Sequence, residues 1–158
     1  MLQRIQTVFL LLVVLLMGAS MIFPLWTYSP EDSEVFFGLK SFYFTNVDPA
    51  QGIEDRVYFP FSLVASLAIA SMVVTIIELT KFENRLLQMK LGALNSLLMA
   101  ATMGLGVYFA TDLMEAKGVA GVYGTGLFLP AAAMICNVIA NRFIRKDEKL
   151  VRSVDRIR

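Results

Sequence analysis

Three polar side chains lie within otherwise apolar stretches of the sequence: Thr75, Asn95 and Asn137. Asn95 comes four residues after the start of one charge-free stretch, and Asn137 comes four residues before the end of another. This spacing predicts that the three side chains lie at one depth in a set of packed helices. In lipid, a hydrogen bond between such side chains is worth about 0.6 to 2 kcal/mol, enough to fix helix register. The alternative is a small polar pocket for a lipid headgroup or another small ligand.

The sequence offers few groups for catalysis or metal binding. It contains no His and one Cys, Cys136, whereas a disulfide needs two cysteines and structural zinc needs about four ligands. The apolar stretches contain no Asp, Glu, Lys or Arg, so a proton relay within them would lack a titrating group. A Ser-His hydrolase site and a phosphate-binding loop are also missing. We therefore predict a protein that is not an enzyme and binds no cofactor.

The composition indicates an all-α membrane protein. Hydrophobic residues make up 57% of the chain and charged residues 17%, against about a quarter in soluble proteins. Four charge-free stretches cover residues 5–30, 57–77, 91–111 and 118–141, and about 20 apolar helical residues cross a bilayer. We predict a single domain over residues 1–158, an antiparallel bundle of four transmembrane helices at about 5–26, 57–79, 82–111 and 119–145.

The first stretch admits two interpretations. Its short basic leader, its aliphatic run and the small residues Gly18, Ala19 and Ser20 fit a cleaved signal peptide. The sequence stays apolar past that point, which favours an uncleaved helix. We expect Pro24 to mark the outer end of this helix, with Trp26 at the level of the lipid headgroups.

Small residues at four-residue spacing occur in the second and third helices. Such residues let helices approach closely in lipid, so we expect both stripes to face a neighbouring helix. The stripes are Ser62, Ser66 and Ala70, and Ser96, Ala100 and Gly104. Thr80 and Glu83 match a capping box, which predicts a new helix near Lys81. Pro130 predicts a bend in the fourth helix.

The outer loop, residues 28–55, is the largest hydrophilic insertion. Short β-rich segments around Gly38 predict a hairpin-like structure, which needs further packing to be stable. Its aromatic side chains are a candidate partner surface, and the alternative is a lid on the bundle. They are Phe36, Phe37, Phe42, Tyr43 and Phe44.

The basic tail, residues 142–158, sets the orientation. It holds seven of the fourteen Lys and Arg. Eleven basic residues fall on its side of the predicted bundle and three on the other, which places both termini in the cytoplasm. The confinement of this charge to one end argues against nucleic-acid binding. As an amphipathic helix, the tail would contact anionic lipid or dock on a partner through Arg145, Lys149, Leu150, Arg152, Val154, Arg156 and Ile157. The alternative is a solvated extension.

The opening residues 1–7 and the basic ending 141–158 resemble those of a family of short four-pass bacterial membrane proteins from the Bacteroidota, catalogued as a domain of unknown function. The resemblance covers the whole chain and implies an inner-membrane location but no activity. We expect a structural or accessory subunit that contacts membrane lipids and docks on other membrane protein subunits. The alternative is a small carrier, or a membrane protein that binds lipid or another small molecule.

Overall fold

The computed structural model describes residues 2–29, 37–48, 53–81 and 84–155. Four long helices make up most of this part of the chain: α1 Leu2–Ile22, α2 Ser62–Thr80, α3 Arg85–Lys117 and α4 Thr125–Asp155. Each of the four contains a span long and apolar enough to cross a membrane. The predicted set of four apolar helices is therefore confirmed.

The helices form an antiparallel bundle in which α1 and α3 each pack against α2 and α4. Phe9 near the start of α1 stacks on Phe143 near the end of α4, with ring centroids 6.0 Å apart. Arg85 at the start of α3 lies 3.2 Å from Asp147, also near the end of α4. We call this end of the bundle, where α1 begins and α4 ends, the terminal end.

A five-stranded antiparallel sheet lies at the opposite end, which we call the sheet end. Its strands are β1 Trp26–Tyr28, β2 Phe37–Leu39, β3 Phe44–Asp48, β4 Ile53–Val57 and β5 Val122–Tyr123, in the order β4-β3-β2-β1-β5. The sheet is larger than the predicted hairpin-like loop. The connection between α3 and α4 supplies β5, and β5 pairs with β1, so the sheet joins two distant parts of the chain.

The helices α2 and α3 begin at residues that differ from the predicted ones. α2 begins at Ser62, not near residue 57, because Val57 ends β4 and Pro60 cannot donate a helical hydrogen bond. α3 begins at Arg85, since Asn84 caps it: Asn84 Oδ1 accepts from the N–H of Leu87 at 3.0 Å. The predicted capping box is therefore not the start of α3, and Glu83 lies outside the described residues.

Two helices also extend beyond their predicted ends. α3 continues past residue 111 to Lys117, where Gly118, with a φ of 64°, allows the chain to turn. Residues 112–117, which the predicted end of the third helix at 111 left outside it, are therefore helical. α4 begins at Thr125 and runs to Asp155, so the tail as far as that residue continues the same helix instead of forming a separate one.

The core consists of two apolar clusters. One lies at the sheet end, where strand residues Trp26, Leu39 and Phe44 pack on α2, α3 and α4; the other lies around Met17 and Met99 within the bundle. Trp26 is 0% exposed, which contradicts its predicted place among lipid headgroups. The indole fits because the neighbouring residue is Gly121: any Cβ there would overlap the ring.

The small-residue stripes face a neighbouring helix only in part: Ser96 accepts a hydrogen bond from Asn137 of α4, as predicted. Ser66, Ala100 and Gly104 are exposed, and a Cβ built on Gly104 would meet nothing within 4 Å. The helices are apolar around most of their circumference, so hydrophobicity leaves their rotation open. Polar residues occupy much of the inward faces of α2 and α3 instead: Ser71, Thr75, Glu78, Gln88 and Asn95.

Candidate functional site

A buried hydrogen-bond network joins α2 to α3 toward the terminal end. The Ser71 hydroxyl donates to Asn95 Oδ1 at 2.6 Å, and Asn95 Nδ2 donates to Thr75 Oγ1 at 2.7 Å. The Thr75 hydroxyl donates in turn to the main-chain carbonyl of Ser71 at 2.8 Å. All three side chains are fully buried. The network thus uses both polar atoms of the Asn95 amide to hold two helices together.

Asn137 joins α4 to a different face of α3. Its Nδ2 donates to the main-chain carbonyl of Gly92 at 2.7 Å and to Ser96 Oγ at 2.9 Å. The two asparagines thus bind different neighbours, and the direct pairing of Asn95 with Asn137 that their matching depth suggested is not what the structure contains. Both α2 and α4 are thus joined to α3 by asparagine hydrogen bonds.

A second polar layer lies closer to the terminal end, and sequence reasoning missed it. Glu78 on α2 is 0% exposed, and neither of its carboxyl oxygens has a hydrogen-bond partner. Gln88 on α3 donates from Nε2 to the main-chain carbonyl of Glu78 at 2.9 Å, while its own Oε1 has no partner. The signal was present in the sequence, because residues 71, 75 and 78 share one helical face, as do residues 88, 92 and 95.

A groove of about 440 Å³ runs between α3 and α4 on the outside of the bundle near the terminal end. The residues on each wall recur at three- or four-residue spacing, so each wall is one helical face. The walls are Met89, Ala93 and Ser96 from α3, and Val138, Asn141, Arg142 and Arg145 from α4. The site was not predicted, because it needs faces from two helices far apart in the sequence.

Two features hold the groove in shape. Its floor is formed where Asn141 lies directly on Gly92, so that a Cβ on residue 92 would overlap the amide. At its terminal end, Arg85 Nη2 pairs with the Asp147 carboxylate at 3.2 Å, and Nη1 donates to the Asp147 main-chain carbonyl at 2.9 Å. Arg85 thus connects α3 to α4 just beyond the arginines of the groove.

The comparisons with known proteins agree with the terminal motifs. The family model described as Domain of unknown function (DUF4293) matches residues 2–157. The chain belongs to this family. No curated protein matches it. The resemblance to a family catalogued as a domain of unknown function is therefore confirmed over nearly the whole chain.

The tail of this DUF4293 chain is described only in part. Arg145, Lys149 and Leu150 are exposed on α4, and Arg145 also lines the groove. The side chains of Arg152 and Val154 lie outside the described residues, as do Arg156 and Ile157 altogether. The proposed contact of the tail with lipid or a partner stays a prediction, and Arg145 is the residue that connects the tail to a shaped site.

The outer-loop aromatics of the DUF4293 chain occupy different places. Phe37 stacks between Tyr28 and Phe44, and Phe44 is buried in the cluster at the sheet end. Phe42 is exposed, and Phe36 lies outside the described residues. Tyr43 lies under Arg56 and Lys40 in a groove of about 330 Å³ on the outer face of the sheet. Within the described part of the loop, Phe42 and Tyr43 are thus the predicted surface residues that a partner could reach.

The described part of the DUF4293 chain contains no group of three His, Cys, Asp or Glu side chains that could hold a metal ion. Cys136, the single cysteine of the sequence, is half-buried and carries a free thiol. The polar groups inside the described bundle are therefore mainly amides and hydroxyls, together with the carboxyl group of Glu78.

Proposed function

We propose that the protein is a four-pass integral protein of the bacterial inner membrane with both termini in the cytoplasm. Large apolar side chains exposed around the bundle support this, because their exposure to water raises the free energy of the protein and their contact with lipid does not. On three different helices, Leu15 is 67% exposed, Leu97 69% and Ile135 62%. The excess of basic residues at the terminal end supports the orientation.

Within that membrane, we propose that the protein is a non-catalytic structural or accessory subunit that docks on a larger membrane assembly. The observation that carries this proposal is the outward direction of the small residues on α3. Ala100, Ala101 and Gly104 are exposed at the depth of the helix middle, and space beside Gly104 is open. Helices in lipid associate by close contact at such small residues.

The interior of the bundle supports the same proposal over a carrier. The amide of Asn95 and the Nδ2 of Asn137 already donate or accept within the bundle, so a cargo would have to compete with these bonds. A carrier built on this layer would need the helices to separate. A docking face on the outside of α3 needs no such rearrangement.

Co-purification tests the docking proposal. The protein is extracted with a mild detergent, sized in its native state and identified by mass spectrometry together with any bound polypeptides. We expect a defined partner that is lost from Gly104→Leu, which fills the space on α3. Ser66→Leu, which places the same leucine side chain on the outward face of α2, should keep the partner.

Three results would contradict the proposal. One is a lone polypeptide with a bound small molecule, which would favour the carrier. Another is a partner retained by Gly104→Leu. The third is a partner lost only from Ser66→Leu, which would move the docking face to α2.

The orientation is tested separately. A reporter enzyme that is active only in the periplasm, fused after Arg158, should be inactive, and the same reporter inserted between Pro49 and Ala50 should be active. The opposite pattern would overturn the orientation, and recovery of the protein in the soluble fraction without detergent would overturn the membrane location.

A further inference from the structure

We propose that the groove between α3 and α4 binds an anionic phospholipid, with the lipid phosphate on Arg142 and Arg145 and an acyl chain along Ala93 and Val138. This inference rests on the proposed membrane location but not on the proposed docking to a partner protein. It assigns a ligand to a site that lies outside the polar layers of the bundle.

The two arginines are available to an anion. Arg142 and Arg145 are exposed and one helical turn apart, and neither pairs with a carboxylate among the described residues. The nearby Asp147 carboxylate is already paired with Arg85. A guanidinium binds phosphate oxygens through parallel N–H donors, which gives a defined geometry as well as charge. Basic sites between helices on the cytoplasmic side of a membrane suit phospholipid headgroups for this reason.

The groove changes along its length from a cationic end to an uncharged end lined by Ala93, Val138 and the hydrogen-bonded Ser96. Arg145 lies at its terminal end, and Val138 lies seven residues earlier on α4, about 10 Å closer to the middle of the bundle. On the antiparallel wall, Ala93 lies one turn toward the middle from Met89. A phospholipid in the inner leaflet has the same order, with its phosphate at the surface and its chains toward the bilayer centre. A free phosphate would not use the apolar half.

Small residues make the groove deep enough for a chain of methylene groups. Ala93 is exposed and leaves a gap between the longer side chains of Met89 and Val138. Gly92 lets Asn141 lie close to the α3 backbone, at the floor of the groove. The Arg85–Asp147 contact holds the two walls together at the end where the headgroup would lie. The site is therefore shaped before a lipid arrives.

Native mass spectrometry with defined lipids tests this inference. The purified full-length protein is placed in mixed micelles containing phosphatidylglycerol or phosphatidylcholine, and the retained lipid is counted as detergent is stripped. Three variants are compared with the unmodified protein: Arg142→Gln with Arg145→Gln, which removes the groove charges; Lys146→Gln with Lys149→Gln, which removes equal charge from the same helix outside the groove; and Ala93→Leu, which fills the apolar half and keeps all charges.

We expect one phosphatidylglycerol to be retained and phosphatidylcholine to be lost. The affinity for phosphatidylglycerol should fall at least about tenfold in the arginine variant, because two charge-assisted contacts to the phosphate are lost. It should change by less than about threefold in the lysine variant. Ala93→Leu should also lose the lipid. Thermal unfolding of each variant identifies any that fails to fold, and Ala93→Val then replaces Ala93→Leu.

The inference is overturned by equal losses in the arginine and lysine variants, which would indicate diffuse attraction of anionic lipid to the tail. Equal retention of phosphatidylcholine would also overturn it, as would displacement of the lipid by glycerol phosphate at equal concentration, since a free phosphate group would then be sufficient. Recovery of the protein in the soluble fraction without detergent would instead contradict the proposed membrane location, before any lipid is added. Loss of a co-purifying partner leaves the lipid result unaffected.

Discussion

The side-chain amide of Gln88 donates a hydrogen bond to the main-chain carbonyl of Glu78 at 2.9 Å, and the carboxyl group of Glu78 is left buried with no hydrogen-bond partner. Removing a carboxyl group from water without a partner costs free energy in any protein. The last turn of α2 is therefore held to α3 through its backbone, while its one acidic side chain destabilises the same contact.

Replacing Glu78 with Gln should stabilise the protein. The amide keeps the size of the side chain and removes the potential charge of the buried carboxyl group. We expect the free energy of unfolding to rise by about 1–2 kcal/mol, measured by chemical denaturation in detergent. Glu115→Gln makes the same change at an exposed position of α3 and should leave the transition midpoint unchanged. A loss of stability in Glu78→Gln would show that the carboxyl group has a stabilising role that its surroundings do not reveal.

The hydrogen bond between Ser71 and Asn95 should appear as a coupling energy. In a double-mutant cycle of Ser71→Ala and Asn95→Ala, we expect a coupling of about 0.6 to 2 kcal/mol, because the bond joins two helices in a buried layer. The control cycle pairs Asn95→Ala with Ser96→Ala. Ser96 binds Asn137 and the Gly92 carbonyl and makes no bond to Asn95, so these two changes should be additive. Coupling in the control and none in the first cycle would contradict the assignment.

Two glycines on α3 should respond in opposite directions to alanine. At Gly92 the new methyl group would overlap the Asn141 side chain, and we expect a loss of about 1–3 kcal/mol in the free energy of unfolding. At Gly104 the space is open, and the better helix propensity of alanine should add up to about 1 kcal/mol. Both are measured in the same detergent. Equal effects at the two positions would mean that α3 and α4 are not in the close contact described.

The contact between Arg85 and Asp147 should prove stronger than its ionic part alone. Asp147→Asn removes the charge but keeps the bond from Arg85 to the main-chain carbonyl, and should cost about 0.5–1 kcal/mol, less at high salt. Arg85→Gln removes both and should cost more than Asp147→Asn. The comparison is made by thermal unfolding at low and high salt. An equal effect of the two substitutions would mean that the ion pair accounts for the whole contribution of this contact to stability.

Several parts of the architecture follow from local sequence. The four charge-free stretches predicted four long apolar helices, because about 20 apolar residues in a row leave a helix as the structure that satisfies its own backbone in lipid. The short β-rich segments around Gly38 predicted β structure in the outer loop. The polar residues Thr75, Asn95 and Asn137 were found by the same means, since a polar side chain in an apolar stretch is conspicuous without any knowledge of its neighbours.

The rotation of each helix and the partners of each polar group were decided only by the tertiary structure. Ala100 and Gly104 were expected to face a helix and instead face outward, because a helix apolar on most sides gains little from one rotation over another. The burial of Glu78 and Gln88 was not predicted for a related reason. Both residues lie near a helix end, where a polar side chain is expected to reach water, and only packing against a neighbouring helix buries them. The groove combines Ala93 with Arg142, which helix pairing brings together although most of α3, β5 and the first half of α4 separate them along the chain. The sequence by itself determined which segments form the four long helices, since that depends on neighbours along the chain, whereas the site depends on neighbours across the bundle.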